Sequence, residues 1–450
     1  MSSGRIDRRT ALQMAGAVAT TSLVLGTGAR AQAPKQVPMT IVINQSPWFD
    51  GFRKIVELYE KETGNKVNLD VNPFAGSLEK QRNSVRAAQG LFDLLIMNGL
   101  FYAEMYHGGF LTPINDIDPS FKLDPAIPTF DDTVFFDPVT KTNSSKGKLM
   151  SVPINPNIPL LYYRADLYQQ KGLKVPTTWD ELLANAKALH NPPQIYGIVQ
   201  RGARGPSDVT YDWFPYFNGF GGELFKDEKA GDFTVTINSP NGKAALEYYV
   251  RLAKEAGHPN TGGQAQAQVI QNVVTGKAAH AILVIAAWAQ MDDPSKSAVV
   301  GKINLALPPS APGFKPAPTV GHWLGGIPKN VPKERQQAAL AFMNWFQTYK
   351  AQVEYTKAGA PPVRLDVMAS DMAKEPANRW MKPMQEGLPL GRQMWTIPEG
   401  AQIVAITELR LNQAVTGEMT PAAALNACAK EIHEVIVKGG YKTGRLPDLT

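Results

Sequence analysis

The sequence predicts an α/β fold built as two separate units, and three observations carry that expectation. Short β-rich runs alternate with segments whose apolar residues recur at helical spacing. The alternation is written twice, with a Pro/Gly-rich stretch after the second run. The length, 450 residues, is that of two to three domains at about 150 residues each.

The first run begins with a β-rich segment at residues 39–44. Phe52, Ile55, Val56 and Tyr59 follow at helical spacing, and Gly64 stops that helix. Residues 66–71 alternate like a strand. Ser77 is a cap for a helix carrying Leu78, Gln81, Val85 and Ala88, closed by Gly90, and residues 94–97 form a short buried strand. This β-α-β-α-β order implies a parallel sheet.

The second run opens with a strand at 160–163. Thr178 and Glu181 make a capping box before Leu182, Leu183, Ala186 and Leu189. A strand at 196–200 follows. Ser239-Pro240 places an N-cap and a first-turn proline before Leu246, Tyr249, Val250 and Ala253. Residues 279–285 are an apolar strand, too short to span a membrane. The Pro/Gly-rich stretch 304–326 reads as loops and crossovers. Helical patterns then dominate, from Leu340, Phe342, Met343, Trp345 and Phe346 to a helix opened by Thr420-Pro421. In that last helix Leu425, Cys428, Ile432 and Val435 share one face, so Cys428 reads as a buried small hydrophobe.

Ahead of these elements, residues 1–33 read as an export signal. Arg5, Arg8 and Arg9 lead, no charge occurs from Ala11 to Gly28, and Ala31-Gln32-Ala33 is a cleavage site. The Arg8-Arg9 pair before a weakly apolar, Thr- and Gly-rich stretch is similar to a twin-arginine signal. The expected product is soluble and periplasmic. Half of the formal +6 charge lies in this segment, leaving +3, too weak a field to argue for nucleic acid or an anionic membrane. The single Cys excludes a disulfide framework and a Cys-based metal site.

No catalytic or metal motif emerges. The six histidines (107, 190, 258, 280, 322 and 433) lack metalloprotease spacing, and there is no nucleophile elbow, P-loop or dinucleotide fingerprint. No cofactor, metal or catalytic residue is assigned. What recurs instead is aromatic side chains in loops after strands: Trp48, then Trp213 with Phe214 and Tyr216, then Trp288 and Trp323. Ligands of open α/β sheets bind beyond the carboxyl ends of strands. An aromatic face there packs on the C–H face of a sugar or polyol. The alternative for each is a tryptophan capping the core.

The order of elements resembles the extracellular solute-binding proteins of ABC sugar importers (solute-binding family 1). The stretches that carry the resemblance are FRKIVELYEKETGNKV (52–67), GKLMSVPINPNIPLLYYRADLYQQKGLKVPTTWDELLANAKAL (147–189), TGKAAHAILVIAAWA (275–289), GHWLGGIPKN…AALAFMNWF (321–346) and GAPPVR (359–364). Residues 196–202, 218–225 and 239–257 look more like the polyol-binding members than the maltodextrin-binding ones.

The resemblance implies a periplasmic-binding-protein-like fold of two α/β lobes with the ligand cleft at the hinge. Lobe one would be 38–154 plus 305–361, and lobe two 157–303 plus 363–450. The implied function is capture of a sugar or polyol and delivery to an ABC transporter membrane permease by hinge closure, by a monomer that is not an enzyme. The implied ligand contacts are Ser46, Trp48 and Asp50 after the first strand, Asn98 and Tyr102 after the third, and Asn157 at a crossover. Arg201, Trp213 and Trp288 would come from lobe two, with Trp323 and Arg364 completing the set. Met97 stands where maltodextrin binders carry an aromatic. Arg201 and Arg364 are suited to grip vicinal oxygens, or alternatively to bridge the lobes by ion pairs. Two other functions remain open: binding of an anionic solute such as a glycerol phosphate ester, through Arg201, Arg204 and Arg364, and a secreted carbohydrate-active enzyme using Asp50 and Asp208.

Overall fold

Residues 36–450 are described by the computed structural model, and the export signal expected at 1–33 lies outside them. β1 (Met39–Asn44) is buried almost throughout. That is the pattern of a strand covered on both faces. It is parallel to β2 (Val67–Asn72) on one side and β3 (Leu94–Asn98) on the other. Between β1 and β2 the helix Phe49–Thr63 buries Phe52, Ile55, Val56 and Tyr59. It ends at Gly64, whose φ of 75° gives the left-handed cap the sequence signalled. The next helix starts earlier than expected, at Phe74 behind Pro73. Ser77 is therefore not a cap but a buried first-turn residue, whose Oγ accepts a bond from Gln81 Nε2 at 3.2 Å.

A small hairpin of β4 (Phe135–Phe136) and β5 (Lys148–Leu149) precedes β6 (Ser151–Asn155). β7 (Pro159–Arg164) begins four residues later and belongs to another sheet. A second hairpin, β8 (Phe225–Asp227) with β9 (Asp232–Val235), is followed by β10 (His280–Val284), β11 (Ile303–Ala306) and β12 (Trp323–Gly326). The larger sheet runs β2-β1-β3-β12-β6 and the smaller β10-β7-β11, so the fold is two α/β lobes. Neither sheet is purely parallel: β12 is antiparallel to β3 and β6, and β7 is antiparallel to β10 and β11. Residues 305 and 306, placed with lobe one by sequence, pair with Tyr162 and Leu161 in the smaller sheet.

Two segments expected as loops are regular structure. Residues 323–326 are β12, the fourth strand of the larger sheet. Its Gly325-Gly326 pair reads as a turn signal. The glycines serve close packing instead, since a Cβ at 326 would meet Met97 and Leu111 side chains at 2.6 and 2.8 Å. Residues 209–219 are a helix, despite Pro215 in its interior. An interior proline costs about 3 kcal/mol. Burial of Trp213, Phe214, Tyr216 and Phe217 outweighs that at about 2–3 kcal/mol per side chain. Residues 196–200 form only isolated parallel bridges to the β10 segment, at Tyr196 and Val199. The caps at Thr178, Ser239 and Thr420 each accept the expected backbone N–H, and Cys428 is fully buried. No helix among the described residues is long and apolar enough to cross a membrane.

Candidate functional site

Where β1, β3 and β12 bring their ends together, they form one wall of a cleft of about 230 Å³. Trp48, the residue before the helix Phe49–Thr63, lays its ring 5.8 Å from Trp323 and edge-on to Phe52 at 5.7 Å. Phe74 meets Trp323 edge-on at 5.8 Å. Trp48, Trp323 and Phe74 thus give the cleft an aromatic wall. Polar atoms are set into it. Asn44 Oδ1, Ser46 Oγ and Trp48 Nε1 are buried and have no hydrogen-bond partner among the described residues. Each such group costs about 1–3 kcal/mol until something satisfies it. These atoms are tucked behind the cleft surface that their residues line.

The opposite wall comes from lobe two: Arg201, the loop 206–208, Tyr211, Gln266 and Val284. Arg201 is nine-tenths buried. It donates from Nη2 to Gln266 Oε1 at 2.6 Å, and its Nε lies 3.6 Å from Asp212 Oδ1. Asp212 Oδ2 accepts the Arg201 backbone N–H at 3.1 Å and the Tyr249 hydroxyl at 2.7 Å. Burial pushes the Asp212 carboxyl up to about 6, against the opposing pull of the Arg201 charge. Asp208 accepts the Gln266 N–H at 3.0 Å. Glu408, from the helix Gly400–Thr416, accepts Gly205 N–H at 2.7 Å and Thr210 N–H at 2.8 Å and so fixes the loop between them. Burial raises that carboxyl to about 7.

The lobes meet at Asn157 and Gly321. The Gly321 N–H donates to the Asn157 carbonyl at 2.7 Å, and Asn157 Oδ1 accepts the Ala286 N–H at 3.3 Å. A side chain at 321 would strike the Tyr211 hydroxyl at 2.2 Å, so this crossing requires glycine.

Of the residues expected at the site, Ser46, Trp48, Asn98, Asn157, Arg201 and Trp323 line this cleft together. Five are not among its lining residues. Asp50 is exposed and faces Arg53 at 3.9 Å. Tyr102 is buried, donating to Asn143 Oδ1 at 3.1 Å. Trp213 lies in the core, stacked on Phe217. Trp288 donates to the Ala377 carbonyl at 3.1 Å and has the Arg379 guanidinium 4.4 Å from its ring. Arg364 is held by Asp124 at 2.6 Å and Asp366 at 2.7 Å, the ion-pair alternative. Sequence reasoning missed Asn44, Phe74, Tyr211 and Gln266 as lining residues, and considered Asp208 only as a catalytic carboxylate. Asn44 had a signal, a polar residue closing an apolar strand. Gln266 had none.

The family model for the bacterial extracellular solute-binding proteins matches residues 44–353. The chain is similar to a mannitol-binding protein of Pseudomonas aeruginosa, 27% identical over 376 residues, covering 78% of this chain and 82% of that one. In fold it is similar to an ABC transporter solute-binding protein of Agrobacterium radiobacter K84 in complex with ribitol. That likeness has a TM-score of 0.77 at 24% identity, over 89% of this chain and 99% of the other. It is likewise similar to maltose-bound MalE3 of T. maritima, with a TM-score of 0.79 at 23% identity over 89% and 100% of the two chains. With two lobes, a cleft between them and a family match over most of its length, this chain belongs to the bacterial extracellular solute-binding proteins.

Proposed function

We propose that this protein captures a small neutral polyol or sugar and hands it to an ABC transporter permease by closing its two lobes. The observation that carries the reading is the pairing, in one cleft, of the aromatic residues Trp48, Trp323 and Phe74 with the polar residues Asn44, Ser46, Asn98 and Gln266. Aromatic faces take the C–H surface of a polyol, and the polar atoms take its hydroxyls. The cleft, at about 230 Å³, is smaller than the ~300–1,000 Å³ of sites for drug-sized ligands, which favours a single sugar or sugar alcohol over an oligosaccharide. The similarity to a mannitol-binding protein points the same way.

Closure would turn about residues 155–158, the stretch between β11 and β12, and residues 361–363. A ligand drives it only by binding the closed form more tightly than the open one. Binding without turnover is the expected chemistry. Glycoside hydrolysis takes two carboxylates facing each other, and among the described residues Asp208 is the one acidic residue lining the cleft. Export by the twin-arginine route, from Arg8-Arg9, completes the proposal.

Calorimetric titration against a panel of hexitols, pentitols and monosaccharides tests it. At a hundredfold excess over Kd, a true ligand stabilises the fold by about 2.7 kcal/mol. A panel without one binder sinks the substrate class, and release of product during long incubation sinks the binding role.

A further inference from the structure

Among the described residues the cleft is lined by one cation and one anion, Arg201 and Asp208, and a second carboxylate, Asp212, stands behind the cation. We infer that Asp212 is the residue that makes this site select neutral solutes: it cancels the Arg201 charge and thereby rejects sugar acids and phosphorylated polyols of the same length. The inference rests on the reading of the site as a polyol receptor and adds what decides between neutral and anionic ligands.

An arginine in a cleft is ordinarily an invitation to an anion, through its planar fork of N–H donors. Here the fork already faces a carboxylate, although its Nε makes no hydrogen bond among the described residues. Nη2 is on Gln266, Nε faces Asp212, and the guanidinium lies 5.7 Å from the Tyr211 ring. Arg201 and Asp212 are both more than nine-tenths buried, so solvent screens their interaction little. With Asp212 ionised, the three groups sum to one negative charge at the cleft wall. An incoming carboxylate or phosphate loses its hydration and meets no net positive field. A neutral hydroxyl loses far less and still finds donors.

Asp212 is held in place from several elements. Tyr249 comes from the helix Pro240–Ala256, and the Arg201 N–H from the segment beside β10. Asp208, Tyr211 and Tyr216 belong to its own helix and cap, and Glu408 fixes the adjoining Thr210. The Tyr249 hydroxyl lies 2.5 Å from the Arg201 carbonyl and 2.7 Å from Asp212 Oδ2. Its single proton serves both acceptors only by sharing, an arrangement that a proton on Asp212 relieves. Protonation near pH 6, as burial dictates, would remove the compensating charge without any mutation.

The test pairs mannitol with mannonate and ribitol with ribonate, in which one terminal CH₂OH is a carboxylate that stays ionised above pH 5. Wild type at pH 7.5 should prefer the alcohol at least a hundredfold. In Asp212→Asn, with folding checked by circular dichroism, that preference should shrink at least tenfold. Should D212N fail to fold, wild type at pH 5.0 replaces it, with the same shrinkage expected. Equal binding of alcohol and acid by wild type at pH 7.5 overturns the inference and leaves the polyol reading standing. So does an unchanged preference in folded D212N or, failing that, in wild type at pH 5.0. Wild type that binds acids alone, or no alcohol or monosaccharide, overturns the functional reading as well.

Discussion

Replacing Ser46 by Ala should make the empty protein more stable and the ligand weaker at once. Ser46 Oγ is buried at the cleft without a hydrogen-bond partner among the described residues, beside Asn44 Oδ1 and Trp48 Nε1. An unpartnered buried hydroxyl is a liability of about 1–3 kcal/mol. Deleting one oxygen leaves a negligible cavity, so Ser46→Ala should raise the unfolding free energy of the empty form by about 1 kcal/mol. Ser46 lines the cleft, so a turn about its χ1 is expected to let the same hydroxyl bond a ligand hydroxyl, with a net worth of about 0.5–1.5 kcal/mol, and Kd of the variant should rise about 2- to 13-fold. Take fivefold as the middle of that range. At a ligand concentration of a hundred wild-type Kd, wild type gains about 2.7 kcal/mol and the variant about 1.8. The variant's advantage of about 1 kcal/mol in the empty form therefore shrinks to about 0.1 kcal/mol in the loaded form. Urea unfolding with and without the best polyol, together with calorimetric titration, reads both numbers. A less stable empty variant would mean that the hydroxyl has a partner in solution. An unchanged Kd would mean that it does not face the ligand. Either result refutes the reasoning.

Arg364→Gln should cost about 2 kcal/mol of stability by stranding Asp124 and Asp366, less than for a fully buried pair because both aspartates are more than a third exposed. Polyol affinity should stay within about twofold in calorimetry if Arg364 acts structurally. Glu408→Gln should flatten the pH dependence of stability. Its carboxyl titrates near 7 in the fold against an ordinary 4.5, so the native state holds a proton that the unfolded chain has lost between those values. Wild type should therefore gain stability relative to the variant as pH falls from 8 to 5, by on the order of 3 kcal/mol, as urea midpoints at each pH would show. Maltotriose should give no heat of binding where a hexitol does, because the cleft holds about 230 Å³. A full signal from the trisaccharide would contradict the single-sugar limit.

Much of this fold was legible because its signals are local. Gly64 stops a helix by taking a left-handed φ, Thr178 and Glu181 close a capping box, and Ser239-Pro240 opens a helix. None of these needs knowledge of distant residues. The misreadings share the opposite character. Gly325-Gly326 looks like a turn until Met97 and Leu111 from other segments are seen against it. Pro215 argues against a helix until the burial of its aromatic neighbours is counted. The site divides in the same way. Ser46, Trp48 and Asn98, named because they lie at strand ends, do line the cleft, since strand ends of an α/β sheet converge. Arg364 and Trp213 fall outside the cleft lining, and no local pattern sets an arginine beside its aspartates or a tryptophan in a core apart from cleft residues. Gln266 touches Arg201 across 65 residues of chain, and no local pattern encodes that pairing.

The two walls of the cleft are built on opposite principles, and that asymmetry suits a receptor that must close and reopen. Lobe one holds neutral polar atoms with their bonds unmade just behind the cleft surface, on residues 44–48 where β1 passes into the helix Phe49–Thr63. Lobe two presents groups that are mostly engaged: Arg201 with Gln266 by a hydrogen bond and with Asp212 as an ion pair at 3.6 Å, Asp208 with the Gln266 N–H, and the loop between Gly205 and Thr210 with Glu408. A solute should therefore seat first on lobe one, where desolvation of the wall has already been borne, and lobe two should close over it without reorganising. Because lobe two starts mostly engaged, it has few interactions left to add on closing, and a ligand shifts the equilibrium only by its differential affinity for the closed form. A deeper energy well would hold the solute past its meeting with the permease. On this argument the unpartnered atoms of lobe one set affinity, and the compensated charges of lobe two set selectivity and release.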